Sequence, residues 1–386
     1  MSGPERGFGG PLVGVIGGGQ LGRMLGLAGI PLGLRFRFLE PRPGCPAAAV
    51  GEVVEAPYDD VAGLGRLAEG AAVVTYEFEN VPVEAARRLS TQVPLHPLPG
   101  ALAMAQDRLV EKRTFRSLGI ETAPFVDVAS LAELEAGVEE LGLPAVLKTR
   151  RMGYDGKGQR VLREAGDLGP AWEALGGSPL ILEGFVSFAR ELSILSVRSR
   201  SGETAHWPLV ENVHREGILV RSVAPAAGLG EGGDRLQERA VALAERVLEH
   251  LDYVGVLAIE LFEVEGRLLA NELAPRVHNS GHWTQDGAET SQFENHLRAV
   301  LGLPLGPTGM REGFAAMVNL LGEVPPLETL PDPGLRVHLY GKAPRPGRKL
   351  GHLNLVDARR DGLLERVEGV ERFLSETQAA QASQSP

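Results

Sequence analysis

Among 386 residues there is one cysteine, Cys45. That excludes an intramolecular disulfide framework and any zinc site built on a cysteine cluster, and it suits a reducing compartment. Lysine is almost as scarce: of 39 lysines and arginines only five are lysine, so each one is worth locating. Positive charge is short overall. The net charge of −11 argues against a nucleic-acid or anionic-membrane surface, which needs an excess of Lys and Arg. Long apolar runs are missing too. Residues 12–34 come nearest, but Arg23 and eight glycines interrupt them, and a membrane span needs about 20 apolar residues in succession. The first ten residues have no apolar h-region, so no signal peptide is expected. Together these shortages predict a cytoplasmic protein with no nucleic-acid or membrane partner. They leave small phosphorylated ligands open, because such ligands respond to local charge.

Glycine and proline are abundant, 50 and 27 residues, about one residue in five. This exceeds average usage but stays below the roughly 25–30% of low-complexity chains. With 43% hydrophobic residues, the chain reads as globular, rich in turns, with two or three domains of roughly 150 residues.

Leu12-Val-Gly-Val-Ile16 predicts a short buried strand. It runs into Gly17-Gly18-Gly19-Gln20-Leu21-Gly22 and then an apolar stripe at Leu21, Met24, Leu25 and Ala28, the spacing of a helix that Gly29 and Pro31 end. A second strand alternates through Leu34, Phe36 and Phe38 and closes at Glu40. Strand-like runs at 51–55 and 71–76 alternate with helical runs at 61–69 and 83–90. Such alternation predicts a mostly parallel α/β sheet. Gly17-x-Gly19-x-x-Gly22 after a strand, with Glu40 about twenty residues on, meets the dinucleotide fingerprint. It equally suits another phosphate held at a helix N-terminus, or a tight turn with no ligand. Glu77, at the carboxyl end of the strand ending Thr75-Tyr76, lies where α/β sheets bind ligands.

The middle of the chain carries more specific signals. Pro144-Ala-Val-Leu-Lys148-Thr149 is a strand; Arg150–Gln159 is a loop rich in glycine and cations; Arg160-Val-Leu162 is a second strand. Strand, glycine loop, strand describes a β-hairpin lid over a nucleotide's phosphates, unlike the strand–loop–helix of a Walker P-loop. Leu180-Ile-Leu-Glu183-Gly-Phe-Val186 is a strand ending in a polar break, suited to an interdomain hinge. Two apolar strands flank Glu265-Gly266, and they carry Glu260 and Glu272. With a three-residue loop, 265–267, these acids lie directly opposite each other; with a two-residue loop they point to opposite faces. Like charges directly opposite destabilise a sheet unless a cation lies between them. The expectation is therefore the three-residue register and Mg²⁺ bound by Glu260 and Glu272.

These pieces together resemble the ATP-grasp superfamily. The resemblance narrows at Asn271-Glu-Leu-Ala-Pro-Arg276-Val-His278-Asn279-Ser280-Gly-His-Trp-Thr-Gln285 to 5-(carboxyamino)imidazole ribonucleotide synthetases of purine biosynthesis. Gly17–Met24 (GGGQLGRM), Thr75–Val81 (TYEFENV), Gly153–Gln159 (GYDGKGQ) and Arg345–Asn354 (RPGRKLGHLN) match the same family in the same order, so the likeness spans roughly residues 12–370. It implies an ATP-grasp fold of mixed α/β and α+β class. The parts are a parallel α/β domain over 1–100, a linker helix and β-hairpin lid over 101–186, and a metal- and nucleotide-binding part over 187–305. A small β-rich segment over 306–375 and an unstructured tail over 376–386 complete the chain.

The resemblance also implies an ADP-forming carbon–nitrogen ligase. It would join bicarbonate to the exocyclic amine of 5-aminoimidazole ribonucleotide through carboxyphosphate, with ATP and Mg²⁺, as a homodimer. Residue by residue, it puts ATP against Arg108, Lys148, the lid residues Gly153, Tyr154, Asp155, Gly156, Lys157, Gly158 and Gln159, then Glu183, Gly184, Phe185, Val186, Glu191, His214, Asn271 and Glu272. Tyr154 and Asp155 also belong to the ribonucleotide site, with Gln20, Leu21, Glu77, Arg276, His278, Asn279, Ser280, Arg348 and Lys349. Arg276, His278 and Lys148 are the implied catalytic residues; Arg276 has the planar fork that holds an anion bidentately. Charge supports the C-terminal assignment: residues 331–352 carry five cations against Asp332, in a chain that is acidic overall.

Two departures stand out. Many ATP-grasp enzymes have an Asn two residues after the second metal carboxylate, where this chain has Ala274, so metal binding rests on two side chains and more water. Lys157 stands where related lids carry Arg, which exchanges a bidentate contact for a point charge. Another ATP-grasp ligase of the purine pathway, similar to glycinamide ribonucleotide transformylase, is the nearest competing reading; the run from His278 to Trp283 argues against it. A nicotinamide dehydrogenase would use Gly17–Gly22 and Glu40 but leave Lys148, the lid and the paired acids idle. A non-catalytic nucleotide-binding module would not need the paired acids.

Overall fold

A strand apolar on both faces needs cover on both, and the first strand, β1 (Leu12–Ile16), is wholly buried. The computed structural model describes residues 9–153, 157–228 and 234–382. In it β1 lies inside a four-stranded parallel sheet with β2 (Arg35–Leu39), β3 (Glu52–Val54) and β4 (Ala71–Tyr76), in the order β3-β2-β1-β4. Helices α1 (Gln20–Gly29), α2 (Val61–Ala68) and α3 (Val83–Ser90) follow three of these strands, as the alternation predicts. Helix α4 (Pro99–Ala105) leads to α5 (Arg108–Ser117), which Asp107 caps by accepting the Leu109 N–H.

The lid is a second, antiparallel sheet of β5 (Phe125–Val128), β6 (Ala145–Thr149), β7 (Gln159–Leu162) and β8 (Leu180–Gly184), ordered β5-β8-β6-β7. Helices α6 (Leu131–Leu141) and α7 (Leu168–Leu175) cover one face of it over a core of Val128, Leu134, Leu147, Leu162 and Leu182. The predicted hairpin is there, with Lys148 opposite Gln159.

The third sheet has nine strands: β9 (Arg190–Arg198), β10 (Thr204–His206), β11 (Val210–Arg215), β12 (Ile218–Ala224), β13 (Gly255–Val264), β14 (Arg267–Ala274), β15 (Phe314–Leu321), β16 (Arg336–Leu339) and β17 (Lys349–Asp357). The order is β14-β13-β9-β11-β12-β15-β17-β16, with β10 on β9. Because β12 pairs with β15, the C-terminal strands continue this sheet. Helix α8 (Asp234–His250) packs on β9, α9 (Thr284–Gly287) on β15 and β17, and α10 (Gln292–Leu301) on β13. The last helix, α11 (Arg360–Ala382), lies along β15 and β17 and buries Leu363, Val367 and Val370 at helical spacing.

Two expectations need correction. The tail expected to be unstructured from Glu376 is helical through Ala382, while 383–386 lie outside the described residues. Alanine and glutamine are good helix formers, and Gln378 ties this turn to the sheet by donating to the Leu321 carbonyl at 3.0 Å. The β13–β14 hairpin has a two-residue loop, Glu265-Gly266, and not the three-residue loop. Both loop residues take positive φ, 52° and 74°, the primed turn whose twist matches the strands. Glu260 nevertheless lies opposite Glu272. A β-bulge resets the register at Asn271, the residue left over between the Leu261–Ala270 and Glu260–Glu272 pairs.

Candidate active site

The glycine loop of the first domain is closed from within by two carboxylates. Glu40 is buried and accepts from the Gly18 N–H at 3.1 Å, the Tyr58 hydroxyl at 2.7 Å and Arg42 at 2.8 Å. It is therefore spent inside the fold, where a dinucleotide site would need it facing a ribose. Gly17 has φ +104°, and a Cβ at Gly18 would stand 2.6 Å from the Cys45 sulfur, so both glycines answer to the turn itself. Glu77 accepts from Gly19 N–H at 2.8 Å and Gly22 N–H at 3.1 Å, which seats its carboxyl on the N-terminus of α1, while burial raises its pKa. Between those donors the N–H groups of Gln20 and Leu21 have no partner among the described residues. The Gln20 side chain accepts from Lys342, whose pKa burial, with Arg348 nearby, pushes down to about 8.

Between the lid and the nine-stranded sheet lies a cleft floored by charge. Lys148 of β6 donates to Glu183 of β8 at 3.0 Å, and Lys112 of α5 stands 3.2 Å from the same oxygen. Burial would raise the Glu183 pKa, but the two lysines outweigh it and hold the carboxyl down to about 2; burial depresses Lys148. Its second oxygen is buried without a partner. Arg108, at the start of α5, pairs with Glu272 of β14 at 2.7 Å. Glu111, one turn further along α5, is buried and accepts the Leu273 N–H at 2.7 Å; burial and then the Glu272 charge push its pKa up to about 8. Arg150, where the lid loop leaves β6, grips Asp107 at 2.7 and 3.0 Å and so ties the lid to the cap of α5.

The other described residues expected around ATP lie on the lid, on β8 and the segment after it, and on β9, β11 and β14. Gly153, Lys157 and Gly158 belong to the lid loop and Gln159 opens β7; Tyr154, Asp155 and Gly156 lie outside the described residues. Gly184 donates to the Pro124 carbonyl at 2.9 Å, Phe185 is exposed and Val186 half-buried. Phe188 stacks on Phe262 with ring centroids 4.7 Å apart. His214 hydrogen-bonds Glu191; this contact and the acids around it raise the imidazole pKa against the opposing effect of burial. Glu191, His214, Glu260, Phe262 and Asn271 line one small pocket. The Asn271 carbonyl oxygen is buried without a partner.

Glu260 and Glu272 form the hinge between two halves of this site. Burial, and then Glu272, push the Glu260 pKa up, whereas Arg108 holds Glu272 down. On the far side from Arg108, Glu260 lies 3.3 Å from Nε2 of His278. Burial and then Arg276 depress the His278 pKa to about 3, so the ring is neutral. Arg276 pairs with Glu79. Lys349 reaches this group from β17 and acts electrostatically on His214, Glu260 and His278. Arg348 precedes it and donates to the Ala343 carbonyl at 3.1 Å.

Asn279 and Ser280 are engaged differently from the expectation. Asn279 exchanges two amide hydrogen bonds with Asn319, at 2.8 and 3.2 Å. Ser280 is wholly buried, bonded to Ser193 and His278. Their side chains hold the loop, and His278 presents the cleft-facing group. Lys112, Glu111, Glu79 and Lys342 also join these contacts, although the family motifs do not include them as site residues. Lys112 carried a usable signal, because it is one of five lysines and sits one helical turn from Arg108.

A glycine-cornered lid over lysine and arginine, facing a pair of strand carboxylates, defines an ATP-grasp enzyme. Residues 113–293 match the ATP-grasp domain family, 11–106 the ribonucleotide synthetase preATP-grasp domain, and 315–366 the phosphoribosylaminoimidazole carboxylase C-terminal domain. The N5-carboxyaminoimidazole ribonucleotide synthase of Pseudomonas aeruginosa is 53% identical over 363 residues, 94% of this chain and 99% of its own length. That of Bacillus subtilis is 42% identical, covering 93% and 94%. The crystal structure of the Thermus thermophilus synthetase superposes with a TM-score of 0.88 at 57% identity over 93% of this chain and 98% of its own. The Aspergillus clavatus enzyme, solved with ADP and 5-aminoimidazole ribonucleotide, does so at 0.88 and 30% identity, covering 96% and 100%. The chain belongs to the N5-carboxyaminoimidazole ribonucleotide synthase family.

Proposed function

We propose that this protein uses ATP to carboxylate 5-aminoimidazole ribonucleotide with bicarbonate, giving N5-carboxyaminoimidazole ribonucleotide, ADP and phosphate in purine biosynthesis. The observation that carries this reading is the Glu260–Glu272 pair, flanked on one side by Arg108 and on the other by His278. It sits where a nucleotide's phosphates would meet a second substrate. Bicarbonate is a poor electrophile. A bicarbonate oxygen attacks the γ-phosphorus of ATP, the bond to ADP breaks, and the resulting carboxyphosphate has a leaving group that the ribonucleotide amine displaces as phosphate. Lys148, Arg108 and the lid glycines would hold the ATP phosphates, Glu191 the ribose hydroxyls, and Asn271 would turn its unpartnered oxygen to the nucleotide.

Arg276 would take bicarbonate and carboxyphosphate bidentately, exchanging Glu79 for the substrate. Glu77, the N–H groups of Gln20 and Leu21, Lys342, Arg348 and Lys349 would hold the ribonucleotide, with the net positive charge at its phosphate. Closure of the lid keeps water from the carboxyphosphate. Two opposed carboxylates form a hard-oxygen donor set that fits Mg²⁺, and among the described residues no group of three Asp, Glu, His or Cys side chains is placed to hold a metal alone. Phosphate oxygens and water would complete the shell; the ion would neutralise charge on the transferring phosphoryl group. We place the enzyme in the cytoplasm as a homodimer; the lone buried Cys45 suits a reducing compartment, and no helix among the described residues is long and apolar enough to cross a membrane.

The test is ADP release from enzyme, MgATP and bicarbonate, with and without 5-aminoimidazole ribonucleotide. The ribonucleotide should stimulate release, and a sedimentation run gives the oligomeric state. Absence of stimulation defeats the assignment.

A further inference from the structure

Beneath the His278 loop, four polar side chains cross three strands of the large sheet in one file. Ser222 of β12 donates to the Asn212 carbonyl oxygen on β11 at 2.7 Å. The Asn212 amide donates to the Ser193 hydroxyl on β9 at 3.0 Å, and Ser193 donates to Ser280 at 2.8 Å. Ser280 lies 2.9 Å from Nδ1 of His278. Asn212 and Ser222 are direct cross-strand partners, and Ser193 is the partner of Glu260 on β13, so the file ends beside the carboxylate that His278 faces. The three serines are wholly buried, and Asn212 is nearly so, at the edge of the pocket that Glu191 and Glu260 line.

We propose that this file fixes His278 as its Nε2–H tautomer, making the ring a hydrogen-bond donor toward Glu260 and the cleft, with Ser193 and Asn212 as positioning residues. Each hydroxyl has a single proton. That of Ser222 is committed to Asn212 and that of Ser193 to Ser280, so the Ser280 proton is directed to Nδ1 of His278. The direction of such a file turns on the orientation of one amide, and rotating Asn212 would reverse it. A second, longer contact favours the same direction. The backbone N–H of Ser280, whose direction is set by the chain, also donates to Nδ1 at 3.3 Å. A reversed file would end with an Nδ1–H pointed at that N–H, donor against donor. Nδ1 therefore carries no proton, and the hydrogen sits on Nε2, 3.3 Å from Glu260. A ring in this state gives a hydrogen bond to the cleft and has no lone pair there to accept the proton of an attacking amine.

The part His278 plays in the reaction rests on the function proposed above; its tautomer does not, and it is readable with no substrate present. The experiment is two-bond ¹H–¹⁵N correlation on the full chain labelled at histidine, with the His278 ring identified by its loss in His278→Asn. The expected pattern is that of the neutral Nε2–H form. Asn212→Asp keeps the shape but accepts where the amide donated, so Ser193 turns to it, Ser280 turns to Ser193, and His278 should shift to the Nδ1–H pattern. Ser193→Ala, which removes one hydroxyl only, should give a mixture of the two, with turnover down about tenfold and KM for ATP unchanged. It serves if Asn212→Asp fails to fold, and unmoved resonances of the other eight histidines show that the fold is intact. An Nδ1–H or doubly protonated pattern in the parent protein overturns the proposal. So does a folded Ser193→Ala protein whose His278 pattern is unchanged.

Discussion

Replacing Glu111 by Gln should stabilise the protein, and by an amount that grows with pH. Glu111 is 2% exposed, and its carboxyl accepts the Leu273 N–H at 2.7 Å, a bond that the carbonyl of Gln can keep. Burial, reinforced by the nearby Glu272 charge, raises its pKa from the ordinary 4.5 to about 8. The unfolded chain therefore releases this proton near pH 4.5, while the folded chain holds it to about pH 8. The group's contribution to stability is complete below pH 4.5, is lost progressively up to about pH 8, and is constant above. At about 1.4 kcal/mol per pH unit, the whole interval amounts to about 5 kcal/mol, a ceiling because a relaxing site admits water. Gln has no proton to lose, so the variant escapes this loss. The stability difference between the two proteins should be near zero at pH 4.5 and widen steadily to pH 8. Urea unfolding followed by tryptophan fluorescence reads it directly, because Trp207 and Trp283 are wholly buried in the central core. Groups common to both chains cancel to first order. Parallel curves across that range would refute the reasoning and mean that Glu111 is ionised in the fold.

Other expectations follow from the same cluster. Lys148→Ala should sharply reduce ADP formation with little change in unfolding, because Lys112 remains beside Glu183; unchanged turnover would remove Lys148 from the site. Glu183→Gln should destabilise the protein by about 3–5 kcal/mol, since it strands two buried lysines, and adding Lys112→Met should recover part of the loss in the same unfolding assay. Glu272→Gln should raise the Mg²⁺ needed for half-maximal ADP formation by at least about tenfold; groups that merely support a metal ligand already cost about 10–100-fold. An unaltered Mg²⁺ dependence would exclude Glu272 as a ligand.

Much of the first domain was legible, because each strand and helix there is marked locally by period and by Gly or Pro punctuation. The lid hairpin was legible for the same reason. The pairing of Glu260 with Glu272 was anticipated through an incorrect loop. Turn length alone sets register in a regular hairpin, and nothing local announces that Asn271 will bulge out of β14. The helical tail was missed because its anchor, the Leu321 carbonyl, belongs to a strand 57 residues earlier.

The sequence by itself determined the sheet types, the lid, the signature loop from Arg276 to Ser280, and that a chain so poor in lysine had placed Lys148, Lys157 and Lys349 in motifs. Tertiary structure alone decided which charges meet. Lys112 and Lys148 share Glu183, and Lys342 reaches Gln20 across 322 residues. Glu40 and Glu77 turn inward onto a glycine loop whose spacing also suits a dinucleotide. The state of His278 depends on hydroxyls carried by β9 and β12. Local propensity is written in neighbours along the chain, whereas the protonation and orientation of a buried group depend on what folding brings within hydrogen-bond distance of it.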